Sequence, residues 1–320
     1  MKFMSFGSQL TDRLRANDVR FAITGGGGWL GQATLEMLDQ VLGAAFAERV
    51  SVFGSKARDI KLRSGRAVPC FELKEIVKLP RGPHYYLHYA FLTKDKLTTQ
   101  SNDTFIRGND IIRSYVIEAI NNNECCGLFL PSSGAVYRAD GKIDTDIVAN
   151  AYGVMKAQDE NIFSALATKQ NFPAVIPRVF NLSGPYMNKV DLYALGSMLR
   201  DALADRPIVI NAAHRVLRSY VHVADVIRLA ISMLLEAQNN ISVFDTAGDQ
   251  VVELSELAQQ IRTVLNMPHL EIKRPVVEAG KENRYIGRPG EMAALAKRFG
   301  FTLCSLGSQI EDTASWLLSA

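Results

Sequence analysis

The segment that most constrains this chain is Ile23 to Gly31, ITGGGGWLG, which sets Gly25, Gly28 and Gly31 between an apolar run (residues 19–24) and a stretch of helical period (30–42). A strand that turns through glycine straight into a helix brings backbone amides and a helix N-terminus to one point, where an anion is held well. The spacing supplies a tight turn, a close backbone approach and room for the helix against the strand. It therefore predicts a loop that cradles a dinucleotide pyrophosphate. Gly25, Gly28 and Gly31, with Trp29 and Leu30 in the first helical turn, are the candidate cofactor contacts.

The rest of the N-terminal half repeats the alternation. Short runs rich in β-branched and aromatic residues at 50–53, 67–71, 85–90, 127–132 and 174–180 are separated by helical stretches at 103–121 and 151–169. Such a series predicts an α/β fold, a Rossmann-type doubly wound parallel sheet with helices on both faces. After Asn181 the alternation loosens at Gly184, Pro185 and Pro207. Helices are expected at 221–235 and 252–265, and a strand at 242–245 that rejoins the main sheet. The expected organisation is a nucleotide-binding domain of residues 1–181, to which 219–246 return, and a smaller, discontinuous substrate domain of 182–218 and 247–320. The residues before position 19 read as a helix without an assigned role.

Composition narrows the function classes. Lys+Arg of 36 against Asp+Glu of 33 leaves +3 over 320 residues, too even for general binding to a nucleic-acid backbone. No apolar run reaches the ~18 residues of a membrane span, and the N-terminal segment lacks an apolar signal region and carries Asp12. Cys70, Cys125, Cys126 and Cys304 contain no CxxC pair, which suits a reduced, cytoplasmic chain. His84 and His88 lie in a strand-like segment, HYYLHYA, so no metal site is expected there.

At the tip of the second strand a dinucleotide fold selecting NAD places an Asp or Glu for the ribose hydroxyls. Here the strand is followed by Gly54, Ser55, Lys56, Ala57 and Arg58. Hydroxyl, ammonium and guanidinium suit a 2′-phosphate, so Ser55, Lys56 and Arg58 predict NADP(H), with NAD as the alternative. The basic run continues through Lys61, Arg63 and Arg66, as a solvated loop also would.

Tyr152 and Lys156 form YGVMK at the start of an expected helix, so phenol and ammonium share one face. With ten tyrosines in the chain a YxxxK match is weak by itself, but its address is informative. It follows a strand that ends in PSSGAVY, with Ser132 and Ser133 near the carboxyl edge of the sheet, where open α/β folds bind ligands. A phenol of pKa ~10 next to an ammonium is eased toward phenolate and can exchange a proton with an alcohol or ketone. A serine hydroxyl would hold the substrate oxygen beside it. No GxSxG elbow accompanies Ser132 or Ser133, which disfavours a hydrolase.

With these motifs in hand the chain resembles the extended short-chain dehydrogenase/reductases, in particular the NAD(P)-dependent epimerase/dehydratase family that modifies nucleotide sugars. The resemblance runs through nearly the whole chain. The HLAA pattern falls on His88, Tyr89 and Ala90, and the Asn of NVxGTxNLLEA on Asn109. SSSxxVY puts the family's catalytic hydroxyl on Ser133, and YxxxK falls on Tyr152 and Lys156. RxFNxxGP falls on Arg178, Phe180, Asn181, Gly184 and Pro185; RxYxHVxDV on Arg218, Tyr220, His222, Val223, Asp225 and Val226; and the late RxG[DE] on Arg288, Gly290 and Glu291.

The resemblance implies that Ala90, Asn109, Tyr152 and Lys156 join the cofactor site and that Asn109 orders a helix and a water. It also implies that Ser133, Asn181, Arg218 and Arg288 hold a nucleotide-linked sugar, and that the protein is a homodimer packed through 103–121 and 151–169. Departures are informative. Gly134 and Ala135 stand where dehydratases carry an acidic pair, which argues against water elimination, and Asn211 to Arg215 replace the usual GDGxQ. The reaction expected is NADP(H)-dependent reduction of a keto group on a nucleotide sugar. The alternative is an epimerase with tightly bound NAD, and a non-catalytic NADP-sensing protein is a third reading. His222 and Asp225 read evenly as helix-capping and packing residues or as ligand contacts.

Overall fold

A computed structural model of the chain describes residues 3–18, 20–236 and 240–319. Helix α1 (Ser8–Ala16) leads into β1 (Arg20–Thr24), the glycine turn, α2 (Trp29–Leu42), the short α3 (Phe46–Arg49) and β2 (Val50–Gly54). Val19, expected to open the first strand, lies outside the described residues. The chain continues through β3 (Arg58–Lys61), β4 (Ala67–Glu72), β5 (Pro83–His88), α4 (Asn102–Asn122), β6 (Glu124–Phe129), β7 (Ser132–Ser133), α5 (Ala151–Gln170) and β8 (Ala174–Val179). Next come β9 (Asn181–Ser183), α6 (Ala194–Leu203), β10 (Ile208–Val209), β11 (Arg215–His222), α7 (Val223–Leu234), β12 (Ile241–Asp245) and β13 (Val251–Glu253). The last elements are α8 (Leu254–Val264), β14 (Ile272–Lys273), β15 (Glu282–Tyr285), α9 (Glu291–Arg298) and α10 (Leu306–Ser319). Among the described residues no helix is long and apolar enough to cross a membrane.

The main sheet has the order β12-β8-β6-β5-β1-β2-β4-β3, with β7 attached to β8. β1 pairs in parallel with β2 on one side (Ile23↔Val52) and β5 on the other (Ala22↔Tyr86). The chain thus builds outward from β1 in one direction, then crosses back and builds in the other. That reversal makes the carboxyl ends of β1 and β5 a topological switch point, the usual ligand crevice of a doubly wound sheet. Ala22, Phe53, Tyr86, Leu128 and Ile176 of the sheet pack with Val116, Ala119 and Ile120 of α4 and Phe163 and Ala167 of α5 in one buried cluster. The middle of each of these strands is apolar because helices cover it.

Several elements depart from the sequence expectation. β3 was legible only as a basic loop: it is a four-residue edge strand, antiparallel to β4, with charged residues exposed and Ile60 buried. Charges and short length are ordinary at a sheet edge. β5 ends at His88 rather than Ala90, because the amides of Tyr89 and Ala90 turn back to Thr24, donating to its carbonyl and Oγ1 at 3.1 Å each. β6 begins at Glu124 and takes in both vicinal cysteines, with a register shift where His84↔Cys125 gives way to Tyr85↔Gly127. The helix expected at 221–235 starts at Val223, since Val221 and His222 complete the eight-residue β11.

The chain divides into two compact units. One comprises Ser5–Arg178 and Ala230–Phe244, and the other Met1–Met4, Val179–Leu229 and Asp245–Ala320. In the first, α1 buries Leu10 and Leu14. Arg15 Nε donates to the Val41 carbonyl and Arg49 Nη1 to the Leu14 carbonyl, both at 3.0 Å, so the helix is tied to α2 and α3. In the second, β11 lies between β13 and β15 and pairs further along with β9. Leu195 and Leu199 of α6, Leu257 and Ile261 of α8, and Ile310 and Ala314 of α10 form its core with Val216 and Tyr220.

Candidate active site

The glycine loop closes over the switch point. Gly25 has φ +70°, a left-handed conformation that favours glycine, and a Cβ there would stand 2.7 Å from the Ala90 amide nitrogen. The ends of β1 and β5 meet at this glycine. Its amide donates to the Phe53 carbonyl at 2.7 Å, tying the loop to the end of β2 as well. Gly28 is the N-cap of α2 and provides no side-chain cap, and Gly31 in the first turn packs against the Gly25 carbonyl too closely for any Cβ. Trp29 and Leu30 open the helix between them. A bare helix N-terminus behind a cradle that side chains would fill fits a pyrophosphate in shape and polarity.

At the tip of β2, Ser55, Lys56, Ala57 and Arg58 are exposed. The Arg58 side chain folds back from β3 so that a Cβ on Gly27 would collide with its guanidinium. A cation thus lies on the glycine loop itself. In the sequence Arg58 stands at the strand tip, and nothing there links it to Gly27.

The Ser, Tyr and Lys motifs are brought together by one face of α5. Asn150 caps the helix, its Oδ1 accepting from the Gly153 amide at 3.0 Å, and its Nδ2 donates to the Ala135 carbonyl at 2.9 Å. Gly153 lies so close to that carbonyl that no Cβ could be placed there. One turn on, Lys156 Nζ donates to the Pro131 carbonyl at 2.9 Å. Another turn on, Glu160 accepts from Ser132 Oγ. Residues 153, 156 and 160 therefore clamp 131–135 against the helix that carries Tyr152. Ser133 is buried in that clamped strand, its Oγ accepting from the Ala135 amide at 3.1 Å. Asn150 and Gly153 were missed in the sequence, where only an N-cap preference before YGVMK signals the first of them.

Buried charge surrounds the pair. Lys156 is 8% exposed, and burial lowers its ammonium to about 8 against the opposing pull of Asp159 and Glu160. Burial raises the Asp159 carboxyl to about 6 although Arg113 Nη1 lies 2.8 Å away. Glu160 binds Arg178 through both carboxylate oxygens, with Nη2 at 2.6 Å, and Arg178 Nη1 reaches the Tyr137 hydroxyl at 2.5 Å. His88, from the strand-like HYYLHYA, is held neutral by burial, which lowers it to about 3, and its Nδ1 lies 2.7 Å from Thr24 Oγ1. Asn109 is buried, accepting from the Leu92 amide at 2.8 Å and donating to the Phe105 carbonyl at 3.1 Å, so it fixes the loop that follows Ala90.

A lysine held below its unfolded pKa of about 10.5 destabilises the native state while both forms would otherwise be charged. The unfolded chain binds the proton more tightly, so this penalty is full below about pH 8 and is lost as pH rises toward 10.5. Lys156→Met is therefore expected to be more stable than the parent at pH 7, by on the order of 2 kcal/mol, with the gain vanishing near pH 10.5. Urea unfolding at both pH values checks it; an equal difference at the two would contradict the assignment.

The remaining candidates lie in the second unit. Asn181 Nδ2 donates to the carbonyls of Ser219 (3.1 Å) and Tyr285 (3.0 Å), tying β9 to β11 and β15. Arg218 Nη1 meets the Asn283 side-chain oxygen at 2.8 Å and the Leu217 carbonyl at 2.9 Å. Arg288 is exposed, with Nε 4.0 Å from Asp245 Oδ2. His222 Nδ1 accepts from the Ala224 amide at the start of α7 while Nε2 lies 3.2 Å from Asp312, and Asp225 accepts from the Cys304 amide at 2.7 Å. Both side chains thus cap and pack their own unit.

Comparison with known proteins bears on this geometry. No curated protein matches the sequence. Solved structures do match in fold. A UDP-N-acetylglucosamine 4-epimerase from Methanobrevibacter ruminantium, in complex with UDP-N-acetylmuramic acid, has a TM-score of 0.71 at 17% identity over 95% of this chain and 99% of its own. A dTDP-glucose 4,6-dehydratase from Streptomyces venezuelae, with NAD bound, gives 0.71 at 15% identity over 94% and 97%. A Thermus thermophilus UDP-glucose 4-epimerase in complex with NAD gives 0.69 at 17% over 94% and 100%. The family profile "NAD dependent epimerase/dehydratase family" matches residues 21–244, from β1 to β12. Carrying the glycine cradle, the clamped serine strand and the YxxxK helix in this order, the chain belongs to the NAD-dependent epimerase/dehydratase family.

Proposed function

We propose that the protein is an NADP(H)-dependent oxidoreductase that reduces a keto group on a nucleotide-linked sugar. The observation that carries the cofactor choice is the Arg58 guanidinium folded onto Gly27, with Lys56 and Ser55 exposed beside it and no carboxylate among residues 54–58. A guanidinium makes charge-assisted bonds to phosphate, and a carboxylate there would repel one. A 2′-phosphate marks the cofactor drawn on for net reduction. The nucleotide sugar is supported by the family, by a neighbour in complex with UDP-N-acetylmuramic acid and by another that is a dTDP-glucose 4,6-dehydratase.

When bound, the nicotinamide supplies or accepts a hydride. The chain's own residues manage the oxygen. Ser133, fixed in the strand clamped by α5, holds the substrate oxygen by hydrogen bonding. Tyr152 gives that oxygen its proton, and the Lys156 ammonium on the same helix face favours the phenolate left behind. Gly25, Gly28, Trp29, Leu30 and Gly31 hold the pyrophosphate, Ala90 and Asn109 shape the wall beside it, and Asn181, Arg218 and Arg288 take the nucleotide sugar. A homodimer through α4 and α5 suits the exposed Ile111 and Ile162.

The experiment is incubation with NADPH and a panel of nucleotide-linked 4-keto sugars, followed at the absorbance of the reduced cofactor. Consumption with at least one member is expected. No consumption, together with copurified, non-exchanging NAD, would establish the epimerase reading instead, which the NAD-bound epimerase neighbours favour.

A further inference from the structure

The ring of Phe91 touches both members of the YxxxK pair. It stands at the last position of the HLAA pattern, immediately after Ala90. Lys156 Nζ sits over the ring 3.9 Å from its centroid, and the Tyr152 ring meets it at 87° with centroids 5.7 Å apart. The ring is itself supported. Buried Phe105 of α4 packs edge-on against it at 6.1 Å, and the next residue, Leu92, is pinned through its amide by Asn109. An ammonium on an aromatic face is attracted by the ring quadrupole, most strongly where water is excluded. Lys156 is in that situation, with the Pro131 carbonyl as its hydrogen-bond acceptor. Perpendicular packing of two rings is likewise a preferred geometry.

We propose that Phe91 is the positioning residue of the Tyr152–Lys156 pair: its face seats the ammonium and its contact with the Tyr152 ring fixes the phenol, before cofactor or substrate arrives. This rests on the reading of Tyr152 and Lys156 as the reacting pair, and it adds a residue that neither YxxxK nor the glycine loop specifies. Other charges facing Lys156 are Asp159 and Glu160 of its own helix and Arg113 of α4, paired to Asp159, while His88 of β5 is neutral. All of them stay in place when position 91 alone is changed.

The test uses cofactor-free protein. Lysine-labelled NMR follows the Lys156 titration, with its signal assigned by loss in K156R. F91L and F91M keep apolar bulk without the quadrupole and are expected to lower the Lys156 midpoint by about one pH unit. F91W is expected to hold it near the parent value. With a working substrate, F91L should lower kcat about tenfold and F91W should restore it, with the KM for cofactor changed far less. A Lys156 midpoint unmoved in F91L or F91M, or tighter cofactor binding in either, would make the ring a filler or an obstruction and overturn the proposal. Because the titration needs no turnover, failure of the reacting-pair reading is seen separately, as activity retained in Y152F.

Discussion

Tyr152→Phe is expected to lower kcat by about three orders of magnitude while leaving NADPH affinity within about threefold of the parent, since positioned proton transfer contributes roughly 10²–10⁴. The change removes one oxygen and keeps the ring that packs against Phe91 and helps line the small cluster of Phe105, Ala151 and Met155. Helix α5 keeps its Asn150 cap, its Gly153 approach and its Lys156 and Glu160 contacts, so the fold of the site is preserved. A fall in kcat without a rise in the cofactor dissociation constant would place the phenol on the proton and not on the cofactor. Steady-state kinetics with the substrate found in the keto-sugar panel, and fluorescence titration with NADPH, read the two quantities. Activity above about a tenth of the parent would remove Tyr152 from the chemistry.

Arg58→Glu is expected to raise the NADPH dissociation constant by about a hundredfold and to change that for NADH by less than about threefold. Hydrogen bonds to charged groups are worth roughly 1.5–3 kcal/mol, and a carboxylate in place of the guanidinium adds repulsion of the phosphate. Arg58 is exposed and folded onto Gly27, so its replacement leaves the β3–β4 pairing and the buried Ile60 untouched. Differential thermal stabilisation by saturating NADPH and NADH gives an independent check on the parent protein. Equal stabilisation by the two would show that the basic tip does not read a 2′-phosphate.

The site is legible in sequence where a residue's role is local. Gly25 needs its left-handed backbone and Tyr152 and Lys156 share a helix face whatever else surrounds them, so strand, glycine turn, helix and YxxxK can be read from spacing alone. Asn150 and Gly153 are less visible, because what makes them necessary is a carbonyl fifteen or more positions away, that of Ala135. Arg58 illustrates the same limit. A run of Ser, Lys and Arg suggests phosphate, but the edge strand that turns the guanidinium back over Gly27 has charged, exposed residues and no apolar period to announce it. Asn181 has a second role that its motif does not announce, since its amide nitrogen joins two backbone carbonyls of neighbouring strands.

What the amino-acid order determined by itself is the main alternation of strands and helices up to β8, without the edge strand β3, and the identity of the glycine, serine, tyrosine and lysine motifs, because hydrophobic period and turn chemistry act over a few residues. The tertiary structure decided which of these meet. The crossing from β4 back to β5 brings Ala90 onto Gly25, and Phe91 comes under Lys156 because Asn109 pins the loop after β5 to a helix that also packs on α5. Burial of that lysine, and with it the depressed pKa, follows from long-range packing that no stretch of sequence contains.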